Sequence, residues 1–81
     1  MSPSQRLRPI AWRVLVRVFE LEGFIVKRQR GDHLIMTKPG VKRPIVIKCS
    51  RHDVPVTHIR TNLTTAGISR ERYFKLLEEV R

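Results

Sequence analysis

The side chains in this sequence that are best suited to proton transfer are its three histidines, His33, His52 and His58. A free imidazole has a pKa of about 6.5, so it can accept or donate a proton near pH 7. His33 directly follows Gly31-Asp32, a turn signal, and should therefore lie at the end of a surface turn. Its type and position favour acid–base chemistry on a substrate bound outside the core.

The spacing of these histidines does not match a metal site. The intervals are 19 residues from His33 to His52 and 6 residues from His52 to His58. No helical His-x-x-x-His pair occurs among them. The single cysteine, Cys49, excludes an internal disulfide and the metal motifs that need several cysteines. We therefore expect no metal and no small-molecule cofactor.

The charge of the chain points to a polyanionic partner. Lys and Arg number 17 against 7 Asp and Glu, which gives a formal net charge of +10. The basic residues are spread along the chain, so they belong to the surface of the folded domain. Such a surface attracts nucleic acid above all, and less specifically an anionic membrane or an acidic protein. Charge alone does not distinguish RNA from DNA.

The length of the chain, 81 residues, predicts one domain over 1–81, with residues 1–8 flexible. A domain this small has no room for a deep substrate cavity, so the site should lie on an open face or in a shallow groove. The longest apolar stretch, 10–21, is interrupted by charged residues and is too short to span a bilayer. No cleavable signal precedes it, so we expect a cytoplasmic protein without a membrane partner.

An amphipathic helix is predicted near the amino terminus. Apolar residues recur from Ile10 at intervals of three and four, with charged residues between them. Pro9 suits the first turn, where its missing N–H is no loss. Gly23 is the expected residue of the C-terminal cap.

Two further helices are predicted after residue 55. The first runs from Thr57, its expected N-cap, to Ala66, and Gly67 ends it. The second covers 70–80, and Ser69 precedes it as N-cap. Both helices carry apolar residues at helical spacing, so each should bury one side.

Between the first two helices lie three β-type segments, 24–30, 33–38 and 43–49. Gly31-Asp32 and Pro39-Gly40 are the turns that separate them. Turns this short join neighbouring strands in antiparallel order. The prediction is an α+β fold of order α-β-β-β-α-α, with a three-stranded antiparallel sheet covered on one face by helices. The other face or its rim is left for a ligand.

The order of these features resembles one protein family. Gly23-Phe24 ends the first helix, and Gly31-Asp32-His33 opens the second strand. The stretch GDHLIMTKPGVKRPIVI, residues 31–47, resembles the central sheet of HicA toxins. The segment VPVTHIRTNLTTAGISRERYFKLLEE, residues 54–79, resembles their C-terminal region. The resemblance extends over nearly the whole chain, from about residue 7 to residue 79.

This resemblance implies a double-stranded-RNA-binding-like fold and a translation-arresting activity that cleaves mRNA. It implies a HicB-type antitoxin as the protein partner and places the catalytic residue at His33. The expected enzyme is a metal-independent endoribonuclease, because RNA carries its own nucleophile, the 2′-hydroxyl. A positioned imidazole can remove the proton of that hydroxyl.

Basic side chains near His33 would hold the phosphate as its negative charge develops. The residues expected to bind RNA in this way are Arg28, Arg30, Lys38 and Arg43. Gly31 is a possible accessory residue at the turn. His52 and His58 are candidates for a second acid or base, and the alternative for both is a solvent-exposed polar role.

Two other functions remain open from the sequence. A non-catalytic module that binds double-stranded RNA would share the fold and the charge and would need no histidine. A helix-turn-helix DNA-binding protein is possible over 57–80, with Gly67 at its turn. Against this second alternative, the last helix uses several of its large side chains, Tyr73, Phe74 and Leu77 among them, for burial.

Overall fold

The computed structural model describes residues 6–80, so residues 1–5 and 81 lie outside the description. The elements of the described range are α1 (Trp12–Leu21), β1 (Ile25–Arg30), β2 (His33–Thr37), β3 (Ile45–Lys48), α2 (Val56–Ala66) and α3 (Arg70–Val80). This order confirms the predicted α-β-β-β-α-α arrangement. Of the segment 1–8, expected to be flexible, residues 1–5 are not described and Leu7 packs half-buried against the core. None of the helices over 6–80 is both long and apolar enough to cross a bilayer.

The three strands form one antiparallel sheet in the order β1-β2-β3. One face of β2 and β3 is buried under the helices, through Leu34, Met36, Ile45 and Ile47. The strand β1 extends beyond this cover, and all six of its residues are exposed. The sheet covered on one face and the element order are those of the double-stranded-RNA-binding-like fold that the sequence predicts.

The helix α1 buries Leu15, Val18 and Phe19 completely, as its apolar spacing predicts. It ends in a Schellman cap, because Gly23 has a φ of +95° and the Phe24 N–H donates to the Phe19 carbonyl at 3.0 Å. The rings of these two phenylalanines also meet edge to face, with centroids 5.5 Å apart. Gly23-Phe24 therefore fixes where β1 begins.

The predicted beginnings of α1 and α2 are wrong by two or three residues. Ile10 pairs with Val54 in an isolated bridge, with the Val54 N–H donating to the Ile10 carbonyl at 2.7 Å, so α1 begins only at Trp12. On the other side of this bridge Pro55 takes the N-cap position, and Thr57 lies within the first turn of α2 instead of capping it. Sequence periodicity does not reveal such a contact between distant segments.

The other predicted helix ends are confirmed. Gly67 ends α2 in the left-handed conformation, with a φ of +72°. The Ser69 hydroxyl accepts a hydrogen bond from the Arg72 N–H at 3.0 Å and so caps α3. Arg72 also donates two hydrogen bonds to one carboxylate oxygen of Glu22, at 2.7 and 3.0 Å, which joins α3 to the end of α1. Hydrogen bonding to Glu22, together with the negative charge of its carboxylate, raises the pKa of Arg72.

Candidate active site on the open face of the sheet

His33 is the first residue of the central strand. Its register partners are Arg30 on β1 and Lys48 on β3. The Asp32 carbonyl accepts a hydrogen bond from the Cys49 N–H at 2.6 Å. The pairing of β2 with β3 is thus continued by one residue beyond the strands. The backbone at His33 is therefore held from both sides, while its side chain is half exposed.

A two-residue turn brings the chain from β1 to His33. Gly31 has a φ of +59°. In the range 6–80 only glycines have a positive φ, so the φ of Asp32 is not positive. A glycine at the first position and an ordinary φ at Asp32 are typical of a type II′ hairpin turn, which matches the twist of the flanking strands. The Gln29 amide donates to the Gly31 carbonyl at 3.0 Å across the same turn. Gly31 thus serves the geometry of the turn.

The Asp32 side chain is a direct partner of the His33 imidazole. Its carboxylate oxygen lies 2.8 Å from His33 Nδ1. An ionised carboxylate at this position accepts a hydrogen bond from the Nδ1–H of His33. The neutral ring therefore presents the lone pair of Nε2 to a substrate. From the sequence, Asp32 was expected only to form the turn. Its carboxyl group directly before His33 was the available signal for a partner of the imidazole.

Cationic side chains surround His33 on the open face of the sheet. Paired residues on adjacent strands share a face, so Arg30 and Lys48 lie on the same side as His33. Arg28 pairs with Ile35 in the next row, and Ile35 is two residues from His33, so Arg28 also belongs to this face. Lys48 was not among the bases predicted from the sequence to lie near His33. Its alternation with the buried Ile47 was the available signal.

A groove separates this open face from α2. It has a volume of about 370 Å³, and its lining residues are His33, Pro44, Val46, Lys48, His58, Thr61, Asn62 and Thr65. The Asn62 amide donates to the Val46 carbonyl at 3.0 Å, and Asn62 is only 7% exposed. This contact attaches the middle of α2 to β3, which is an edge strand of the sheet. The four lining residues that belong to α2 are polar and recur at helical spacing: His58, Thr61, Asn62 and Thr65.

Of the residues proposed from the sequence, only His33 and His58 line this groove. Arg28 and Arg30 lie on the adjoining open face of the sheet, whereas Lys38, Arg43 and His52 lie elsewhere. Lys38 lies at the junction of α1 and β1, where its Nζ is 5.7 Å from the centroid of the Phe24 ring. Arg43 lines a neighbouring groove of about 430 Å³ between the β2–β3 loop and the end of α2. His52 is exposed in the loop after β3, where its backbone N–H donates to the Ser50 hydroxyl at 3.0 Å.

The described side chains offer neither a metal centre nor an activated thiol. Within the range 6–80, no three His, Cys, Asp or Glu side chains are grouped as a metal ion would require. Cys49 is half-buried, and its burial raises the pKa of the thiol. A thiolate nucleophile at Cys49 is therefore disfavoured near neutral pH. The imidazoles remain the groups of the groove best suited to proton transfer.

Comparison with known proteins assigns the chain to a family. A sequence model of the family described as HicA toxin of bacterial toxin-antitoxin matches residues 12–68. That segment begins with α1 and contains the whole sheet, His33 and α2. No curated protein matches the chain. A toxin–antitoxin family implies an antitoxin as partner. With more than half of its length matched and the predicted fold present, the chain belongs to the HicA toxin family of bacterial toxin–antitoxin systems.

Proposed function

We propose that this chain is a translation-arresting endoribonuclease that cleaves mRNA without a metal ion, with His33 as its catalytic residue. One observation supports this above the others. The His33 imidazole is oriented by Asp32 at 2.8 Å and stands between Arg30 and Lys48 on an uncovered sheet face. A proton acceptor and two cations are thereby placed together where a polyanion can reach them.

In the proposed reaction, His33 Nε2 accepts the proton of the ribose 2′-hydroxyl. The 2′-oxygen then attacks the adjacent phosphorus, and a 2′,3′-cyclic phosphate forms as the bond to the 5′-oxygen breaks. Negative charge increases on the phosphoryl oxygens during this step, and Arg30 and Lys48 stabilise it. Arg28, one row further along the sheet, extends the cationic surface towards the neighbouring phosphate.

The open geometry favours RNA in an extended, accessible conformation. The imidazole and carboxylate of His33 and Asp32 are about half exposed, with side-chain values of 50% and 53%. Recognition of single-stranded RNA commonly combines a cationic track with stacking or apolar surface beneath the bases. Ile25 and Val46 supply exposed apolar surface beside the cations of this face.

The proposed antitoxin is a HicB-type protein that covers this same surface. An acidic partner would be attracted by the net charge of +10 and would compete with RNA for Arg30 and Lys48. Burial of Ile25, which is 63% exposed, and of Val46 would slow its release. Co-expression with the product of the adjacent gene, purified through one tag, should give a complex that does not cleave RNA. An active complex would place the inhibitory contact elsewhere.

A non-catalytic RNA-binding module is the second candidate, because the cationic open face would serve it equally well. The helix-turn-helix alternative is less favoured, since α3 buries Tyr73, Leu76 and Leu77 in the core. These side chains hold the helix in the core, where it packs on α1, instead of freeing it for a DNA groove.

The test of the proposed function is incubation of the purified chain with end-labelled RNA in excess EDTA. We expect cleavage, with 2′,3′-cyclic phosphate and 5′-hydroxyl ends on the fragments. Activity that disappears in EDTA and returns with a divalent cation would contradict the metal-independent mechanism. RNA binding without any cleavage would instead favour the non-catalytic module.

A further inference from the structure

We infer that His58 on α2 is the general acid of the cleavage reaction and protonates the 5′-oxygen leaving group across the groove from His33. This inference rests on the proposed function. The two imidazoles come from different elements, β2 and α2, yet both line the same groove of about 370 Å³. The third histidine, His52, lies outside it.

The position of His58 is fixed by the packing of its helix. Ile59 is completely buried and Leu63 is 5% exposed, so one side of α2 is anchored in the core. On the groove side, Asn62 donates to the Val46 carbonyl at 3.0 Å. His58 lies one helical turn before Asn62 and therefore shares its face. These contacts set both the rotation of α2 and its distance from β3.

The chemistry requires an acid on the side of the phosphate opposite the base. In an in-line displacement, the attacking and leaving oxygens lie on opposite sides of the phosphorus. His33 is on the sheet wall of the groove and His58 on its helix wall, so we place the base and the acid on these two walls. Lys48 stands on the sheet wall and can hold the phosphoryl oxygens, but an ammonium is a much weaker acid than an imidazolium.

The proton and electron balance of the step is complete. His33 Nε2 takes the 2′-hydroxyl proton as the bond from the 2′-oxygen to phosphorus forms. The bond from phosphorus to the 5′-oxygen breaks, and its electron pair takes the proton of the His58 imidazolium. His33 is then protonated and His58 neutral, and exchange with water restores both before the next cleavage.

A modified substrate tests this assignment. Replacing the scissile 5′-oxygen by sulfur gives a leaving group that departs without protonation. On ordinary RNA, His58→Ala should reduce the single-turnover rate about 100-fold or more. On the 5′-thio substrate, the same variant should cleave at a rate close to that of the wild type. His33→Ala should be slow on both substrates, and the matched control His52→Ala should be normal on both.

Two results would overturn the inference. His58→Ala could cleave ordinary RNA at the wild-type rate, or it could lose activity equally on both substrates, which would indicate a structural or binding role. His58→Gln, with a thermal unfolding curve for each variant, separates a loss of folding from a loss of acid. A wild-type chain that cleaves neither substrate would contradict the proposed function itself. If His58→Ala cleaves at the wild-type rate while His33→Ala is inactive, the assignment of His58 as general acid is refuted and the proposed function stands.

Discussion

The two faces of the sheet differ sharply although they share the same strands. On the covered face, Leu34, Met36, Ile45 and Ile47 are all at most 8% exposed. On the open face of the same strands, His33 and Lys48 are exposed, and they alternate residue by residue with the buried set. Stability and the proposed chemistry are thus interleaved in the sequence but separated in space. Substitutions on one face should therefore change one property without the other.

The largest effect on stability should come from the covered face. Met36 is completely buried, and Met36→Ala should lower the free energy of unfolding by about 2–5 kcal/mol, because it removes packed apolar volume and leaves a cavity. Val46→Ala is the matched control on the open face of the adjacent strand and should cost much less. Urea denaturation measures both. A fall in the cleavage rate of Met36→Ala at unchanged stability would contradict the separation of the two faces.

An intermediate effect is expected where α2 meets the sheet edge. Asn62→Ala removes the hydrogen bond to the Val46 carbonyl and should cost about 1 kcal/mol. Because this contact also holds α2 beside β3, the cleavage rate of the folded variant should fall as well. Thr57→Ala, at an exposed position of α2 that does not line the groove, is the control. Equal cleavage by both variants would show that the tether does not position the groove.

Charge on the open face should affect RNA binding more than charge elsewhere. Neutralising Arg30 or Lys48 with glutamine should make the slope of log affinity against log salt shallower by about one unit each, since each removes one phosphate contact. Lys75→Gln, on the exposed side of α3, should leave the slope unchanged. Binding assays over a series of salt concentrations give this slope. The same change at all three positions would argue against a defined RNA footprint.

The smallest effect concerns the partner of the imidazole. Asp32→Ala removes the carboxylate at 2.8 Å from His33 Nδ1 and should reduce the cleavage rate by at most about fivefold. The effect is small because a half-exposed pair contributes about 1 kcal/mol or less. Single-turnover kinetics of the variant measure it. A loss comparable to that of His33→Ala would make Asp32 a participant in the reaction rather than a positioning residue.

Local sequence signals predicted the fold and, of the side chains around His33, only Arg28 and Arg30. Period-two alternation and the Gly31-Asp32 turn were enough to place Arg30 beside His33, because both lie on one hairpin. The same alternation argues against Lys38, which is an odd number of residues from His33 and lies beside Phe24 on the other side. Strand alternation applied to the sequence could therefore have retained Arg30 and excluded Lys38 as neighbours of His33.

Sequence reasoning named His58 as a candidate acid or base, but it did not predict that α2 forms one wall of a groove beside His33. His58 and Asn62 form a polar stripe on α2, and such a stripe ordinarily indicates a solvated face. Only the packing of α2 against the edge of β3 turns it into the wall of a groove. That packing depends on contacts between distant segments, which no local pattern encodes. For the same reason Arg43 was predicted near His33 but lies in the neighbouring groove.

The catalytic role of His33 is tested by measuring cleavage and stability together for the wild type and His33→Ala. Both proteins are prepared identically, so that a contaminating nuclease would act in both samples. We predict that His33→Ala reduces the single-turnover rate by about 100-fold or more. Its free energy of unfolding should change by less than about 0.5 kcal/mol, because the side chain is exposed. A folded His33→Ala protein that cleaves RNA at the wild-type rate would contradict the central claim.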